Sequence, residues 1–550
     1  MSSSQSGFSR RQFLRALMGM GGMAALNPRF FIGDARAALP VFNDYKALVY
    51  IHLNGGNDST NMLVPLGSAL GTGYDTYAGI RGGLAVSQTE LDLSTVAGGV
   101  DLNNGKLGYG AANPYHVDGT QQTAYLKGVY SLKSKGIDLG VNAMMPELAQ
   151  LITDNKASIV ANIGPLIRPV TRSQIKGKTA ELPKFLFAHD HQSAAIKTAR
   201  PEQIGATGWS GRIADDWIGV NQSSPMGLNV SFTQNDLMLV GDTTRPLLLN
   251  SGSLHTYNMM DPTGNGDHQD RRALFKALAG ISGSSSSGAV NFSADKTFSN
   301  ADPFHRLYSS MLSETMDTFD FLKDVWAQPM SFSRTGSYGE PLFDPVSHTD
   351  LGFDSKAWTD LFSQLWAATK VIKLGASGAL GPGYHRQVIV INMGWWDNHN
   401  KQAREHPKTL RLLSMGLWKF QQALEELGLQ NNVITTTISE FGRTMSNNGD
   451  GTDHGWGAHH IVMGGDGLNH PGHLNGGKLL GELPDMRLGG VDDYDEKGRI
   501  IPTVAQSQVN AALCRWFGVD DVLMQKVFPN LGNFRTGNAL DSAFLQNLFV

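Results

Sequence analysis

The 550 residues include a single cysteine, Cys514. An intramolecular disulfide is therefore excluded, and the apolar setting Ala511-Ala512-Leu513-Cys514-Arg515-Trp516 predicts a buried, inert thiol. Charge of one sign is also scarce. The formal balance is -4, with no basic block after the N-terminus and no acidic tail, which argues against nucleic acid as a partner. No run reaches the roughly 20 apolar residues of a spanning helix, so no transmembrane anchor is expected in the mature protein. Also missing are a Gly-x-Ser-x-Gly elbow, a His-Glu-x-x-His pair and a Gly-x-x-x-x-Gly-Lys loop. Serine-hydrolase, zincin and nucleotide-triphosphatase chemistry is left without its usual carriers.

What is present begins at the N-terminus. Ser9-Arg10-Arg11-Gln12-Phe13-Leu14-Arg15 leads into a short, weakly apolar run over 16–26 and then Ala35-Arg36-Ala37-Ala38. A positive segment, an apolar segment and an A-x-A site, in that order and with paired arginines, predict a twin-arginine signal peptide over 1–37. The expected partner is the twin-arginine translocation machinery, and the expected location is the periplasm or beyond. Residues 38–550 then read as one α/β domain with insertions around 66–140 and 226–350.

Strand-like runs punctuate that domain. Residues 47–53, 158–164, 387–393 and 433–438 are rich in Val, Ile and Leu, or in Val, Ile and Thr, and suit buried strands on a pleated surface. The segment 158–164 follows a short helix over 145–155, at the spacing of a parallel crossover. Between the last two runs, Leu410, Leu413, Leu417, Phe420, Leu424 and Leu427 recur at three- and four-residue steps, the mark of a helix with one buried face. Strand, helix, strand is a βαβ unit. Residues 358–372 predict a second packed helix and 303–326 a less regular one. Residues 460–465 give a further short strand, 66–140 loops and short helices, 226–253 short strands or hairpins, and 283–288 a flexible loop. The fold class expected is α/β, a doubly wound, mostly parallel sheet with helices on both faces.

Acids and histidines gather just past the strand runs. Asp58 follows the first, Asp397 and His399 the third, and Glu440 the fourth, with Arg443 beside it and a polar loop over 446–457 that carries Asp453 and His454. Ligands of open α/β sheets sit outside the carboxyl ends of the strands, so these residues stand where chemistry is expected. A turn-former is the plainer reading of Asp58 alone. If the strands are neighbours, carboxylates about 4 Å apart would repel by roughly 4 kcal/mol at an effective dielectric near 20. Cations would relieve that, and Asp, Glu and His ligands suit one or two ions of Zn²⁺, Mn²⁺, Mg²⁺ or Ca²⁺. The pair of histidines in His189-Asp190-His191 is metal-capable too, or equally a hydrogen-bonded surface cluster.

The leader, Leu53-Asn54-Gly55-Gly56-Asn57-Asp58, the stretch 186–192, Thr207-Gly208-Trp209, Trp396-Asp397-Asn398-His399, Ser439-Glu440-Phe441-Gly442-Arg443-Thr444 and the stretch 451–460 together resemble the exported bacterial family of unknown function "fifteen-oh-one". That family in turn resembles the alkaline phosphatase and sulfatase superfamily, whose members hold two metals at the strand ends of a doubly wound sheet and hydrolyse phosphate or sulfate esters. The resemblance implies Asp58, Asp397, His399, Glu440, Asp453 and His454 as metal ligands. An alternative registration makes Asp453-His454 the Asp-His pair and His459 or His460 the later ligand. Two departures matter: Phe441 stands where a ligand is usual, and Ala188 where family members often carry the serine that would attack. Ser59, Thr60, His189 and Arg443 are the remaining catalytic candidates, the first two as hydroxyl nucleophiles and Arg443 as an anion clamp. The implied function is a periplasmic metal-dependent hydrolase of a small-molecule or surface ester. A non-catalytic, metal-stabilised binding or assembly protein is the alternative on the same fold.

Overall fold

The computed structural model describes residues 39–93, 123–221, 224–249, 357–381, 383–468 and 470–550, with short pieces between 251 and 344. The expected signal segment lies outside the described residues, as do most of the expected helix over 303–326 and most of the loop over 283–288. In chain order the strands are β1 (Lys46–Leu53), β2 (Leu63–Pro65), β3 (Val129–Ser131), β4 (Leu139–Asn142), β5 (Ala157–Gly164), β6 (Asn229–Ser231), β7 (Leu247–Leu248), β8 (Gly283–Ser284), β9 (Asn291–Phe292), β10 (Arg386–Met393), β11 (Val433–Ile438), β12 (Arg443–Asn447), β13 (Thr452–His454), β14 (Ala458–Met463), β15 (Leu479–Leu480) and β16 (Val504–Ala505).

Apolar residues on both faces of β1 leave it no place but the interior, and it is the central strand. It runs parallel to β10 on one side and to β11 on the other, with Val49 opposite Ile389 and Thr435. The nine-stranded sheet has the order β15-β5-β14-β11-β1-β10-β6-β7, with β16 also on β5. Every described pairing in it is parallel except those of β14, which is antiparallel to both β11 and β5.

The two faces of the sheet bury separate cores. Ala47, Val49, Ile51 and Leu53 of β1 pack with helices Pro146–Thr153, Ala357–Ala376 and Gln402–Glu426. Leu48 and Tyr50 face the other way, onto helices Trp209–Asp216 and Gln506–Phe517. Period-two alternation on a strand buried on both sides produces that division, and it makes the sheet one with helices on both faces. Each fully buried Val, Leu or Ile contributes about 1.5–3 kcal/mol. Cys514 lies in the second core with no exposure, and burial pushes its thiol well up, as the inert reading expects.

Two local expectations are corrected and a third is narrowed. The polar loop 446–457 is largely a hairpin, β12 paired antiparallel with β13, because its Asn-rich tip at 447–450 turns the chain back. Residues 226–253, expected as short strands or hairpins, supply the short strands β6 and β7, which extend the main sheet in parallel. Within 66–140 and its flanks stand a short helix, Tyr74–Arg81, as expected, and an antiparallel sheet of order β2-β4-β3 that the weak periodicity of the region hid.

Candidate functional site

Because β10, β1 and β11 are neighbours, the turns that leave them share one edge of the sheet. The turn after β1 uses Gly55 at φ +127° and Gly56 at φ +86°. A Cβ on Gly55 would stand 2.5 Å from the backbone nitrogen of Asp397, so only glycine lets the two turns pack backbone on backbone. Arg443 then pins them together. Its Nε donates to the Gly56 carbonyl at 2.7 Å, Nη1 to Thr452 at 3.1 Å, and Nη2 to the Trp396 carbonyl at 3.0 Å and to Asp397 Oδ1 at 2.6 Å, with the Gly55 carbonyl also in contact. The guanidinium is buried and each of its three nitrogens donates to the chain. Arg443 is therefore a clamp on the chain's own carbonyls, and the anion-clamp role expected of it is withdrawn.

Asp397 is the meeting point. His399 Nε2 lies 3.1 Å and His454 Nε2 3.3 Å from its Oδ1, while His189 Nε2 lies 3.5 Å from its Oδ2. Ligand atoms of His189, Asp397 and His454 fall within 4.8 Å of one another, and His399 Nε2 is 2.7 Å from His454 Nε2. Each imidazole is oriented through its other nitrogen, which faces an oxygen that accepts: His189 Nδ1 to Glu440 at 2.9 Å, His399 Nδ1 to Asp453 at 3.3 Å, His454 Nδ1 to the Phe187 carbonyl at 2.8 Å. A proton on each Nδ1 leaves three Nε2 lone pairs beside the Asp397 carboxylate, those of His399 and His454 also facing each other. Acceptors crowd there without enough donors. Either an imidazole takes a second proton or a cation sits among them.

Charge around the cluster follows from its neighbours. Burial would raise the Asp397 carboxyl, but the hydrogen bond and charge of Arg443 outweigh it and hold it below the usual range. Glu440 is likewise held well down despite complete burial, by its hydrogen bond with His189. That same bond raises His189, whereas burial lowers His454. The side chains of Asp397, His399 and His189 remain 45%, 40% and 35% exposed, so the cluster opens to solvent.

Three of the six expected ligands thus come together, Asp397, His399 and His454. Glu440 and Asp453 hold histidine rings by Nδ1 and stand behind the cluster, a correction to their assignment as ligands. Asp58 is elsewhere: its Oδ1 takes Arg81 Nη2 at 2.6 Å, Oδ2 takes Gln402, and it caps the short helix Ser59–Met62. The expected repulsion among carboxylates is absent, because Asp58, Asp397 and Glu440 each have their own partner in Arg81, Arg443 and His189. Ser59 accepts from the His459 amide at 2.8 Å and is buried; among the described residues neither it nor Thr60 has a polar contact with the cluster. The alternative registration fails as well, since His459 and His460 are buried in β14, bonded to the Asn162 amide and to the Thr437 carbonyl.

Sequence reasoning read His189 both as a catalytic candidate and as metal-capable, and its Nε2 faces Asp397 with those of the other two rings. It missed His52, whose Nε2 stands 3.3 Å from Glu440 Oε2 with both residues buried. Phe441, read as a lost ligand, stacks on His454 at 4.4 Å between ring centres and lies 4.8 Å from His189. It is the apolar floor on which two rings rest.

Residues 373–494 match the family described as Protein of unknown function (DUF1501). That span holds β10, β11 and the hairpin, with Asp397, His399, Glu440, Asp453 and His454, but not His189. No curated protein matches the chain. A solved structure, the crystal structure of Ps i-CgsB in complex with k-i-k-neocarrahexaose, is similar over 88% of this chain and 74% of its own, at 9% identity and a TM-score of 0.30, which carries no argument.

Proposed function

We propose that this chain is an exported, metal-dependent hydrolase of phosphate or sulfate esters, and that His189, His399, His454 and Asp397 would hold one divalent cation. The observation that supports it is the convergence of three oriented imidazole Nε2 atoms on a carboxylate open to solvent. Imidazoles whose second nitrogen is tied to a carboxylate or carbonyl are the usual ligands of transition metals, because that bond fixes tautomer and ring orientation. Openness favours a catalytic over a structural site, which would be closed.

Three nitrogens and one oxygen with no thiolate fit Zn²⁺ best and Mn²⁺ next; the oxygen-preferring Mg²⁺ and Ca²⁺ fit less well. One ion is enough, since Asp58 and Glu440 are committed to other partners. When bound, it would supply the electrophilic and water-activating chemistry that ester hydrolysis needs. The chain's own residues would orient that site: Glu440 fixes His189, Asp453 fixes His399, and Arg443 fixes the Asp397 carboxylate. With Ala188 at the family's serine position and Ser59 occupied, no described hydroxyl is poised to attack, so water is the nucleophile. The strand-end location and mostly parallel sheet agree with the alkaline phosphatase and sulfatase resemblance, and the paired arginines agree with export.

One observation favours a second reading. With Arg443 consumed by carbonyls, no other Lys or Arg among the described residues has an ion pair with Asp397, as a metal-stabilised binding or assembly protein would allow. The two readings part on turnover of 4-nitrophenyl phosphate and 4-nitrophenyl sulfate by zinc-loaded and chelator-stripped protein. The hydrolase reading expects zinc-dependent release of nitrophenol that is lost in Asp397→Asn. Zinc uptake with no turnover of either ester would decide for the second.

A further inference from the structure

Trp395 is 78% exposed, immediately before the buried Trp396 and two residues before Asp397. A lone exposed apolar side chain is ordinary. This one differs in its backbone, which sits at φ +75°, where a bulky side chain is an outlier and glycine is the usual occupant. Ten described non-glycine residues have positive φ, and the three aromatic ones, Phe185, Phe187 and Trp395, all lie within four residues of His189 or Asp397. Phe185 is 58% exposed, and the Phe187 carbonyl is the one that orients His454. Left-handed backbone at bulky residues collects at functional sites, where the fold maintains a conformation that local preference opposes. Trp396 turns inward to pack at 5.7 Å from His406 and gives its carbonyl to Arg443, while Trp395, its neighbour in the same turn and two residues before Asp397, stays exposed.

We infer that Trp395 is a stacking platform for the organic part of the substrate, which is therefore a ring with a flat apolar face, aryl or pyranose, carrying the ester group. An exposed indole offers a broad, rigid surface at low entropic cost, and its polarised face suits C–H groups or another ring. An acyclic ester would make no use of it. The inference rests on the proposed ester site, since it takes the cluster as the place where the anionic group sits.

The test uses non-hydrolysed or slowly hydrolysed probes in pairs with matched head groups: phenylphosphonate against methylphosphonate, and glucose 6-sulfate against methyl sulfate. Binding to the zinc-loaded protein is measured for the natural chain, Trp395→Phe and Trp395→Ala. The natural protein should prefer the ring-bearing member of at least one pair by roughly tenfold. Trp395→Phe should keep most of that preference and Trp395→Ala lose it, with the methyl probes unchanged; the pair that responds tells aryl from pyranose. Absence of any ring preference in the natural protein, or its persistence in Trp395→Ala, would overturn the inference. Trp395→Gly, which suits the left-handed backbone, should raise the melting temperature by about a degree; a fall would mean the indole supports the fold and would also overturn it. A ring preference that depends on Trp395 in a protein that takes up no zinc would sink the ester-site reading and leave the platform standing.

Discussion

Single residues decide whether the strand ends become a site. Arg443 does so by bonding to carbonyls from three segments, a task lysine could not take over, because an ammonium lacks the planar fork. Ala188 is the other such position. It is the N-cap of helix His189–Thr198, extended at φ -103° and ψ 126°, and has no side chain to satisfy the first amides of that helix. Ala188→Ser should stabilise the protein by about 1 kcal/mol through capping, read as a higher urea midpoint at unchanged slope. It should also raise 4-nitrophenyl ester hydrolysis if the hydroxyl next to His189 can attack. An unchanged midpoint would show that the helix start is not limited by its cap. The importance of Phe441 was not legible beforehand, because a phenylalanine in a ligand's place reads as a loss until the rings it supports are seen.

At the scale of elements, the β1, β10 and β11 runs and the helix between the last two could be read from the sequence, since a strand buried on both faces and a helix with one apolar face leave unambiguous patterns. The direction of β14 could not. Its residues Ala458–Met463 are buried throughout, like those of a parallel strand, and only the hairpin before it reverses the chain. Burial on β14 and on helix Gln402–Glu426 has a consequence for pH. His406, His459 and His460 are lowered by burial to about 4, whereas an unfolded imidazole protonates near 6.5. Between those values the unfolded chain binds more protons than the folded one. Stability is thus fully present above pH 6.5 and falls as pH drops towards 4, by roughly 3 kcal/mol per histidine at the acid end. In chelator-treated protein the urea midpoint should fall steadily from pH 7 to pH 5. A flat profile over that range would mean that these rings are not buried as neutral groups.

For the whole molecule, the sheet order brings together turns that are hundreds of residues apart in the chain. The sequence indicated an α/β sheet with acids at three strand ends, and the structure makes those three strands neighbours, so that their turns share one edge. The sequence could not show how the side chains are shared out: Asp58 belongs to Arg81, Glu440 to His189, and the fourth converging group arrives on a helix that starts 208 residues before Asp397. What was expected to be a crowd of carboxylates is a crowd of imidazoles around one. The most direct measurement of that claim is a zinc titration of chelator-stripped protein, comparing the natural chain with a His189→Ala, His454→Ala double variant. The natural protein should take up one equivalent per chain, and the double variant none at the same concentrations. Failure of the natural protein to bind zinc, or undiminished uptake by the double variant, would contradict the metal site and the hydrolase reading built on it.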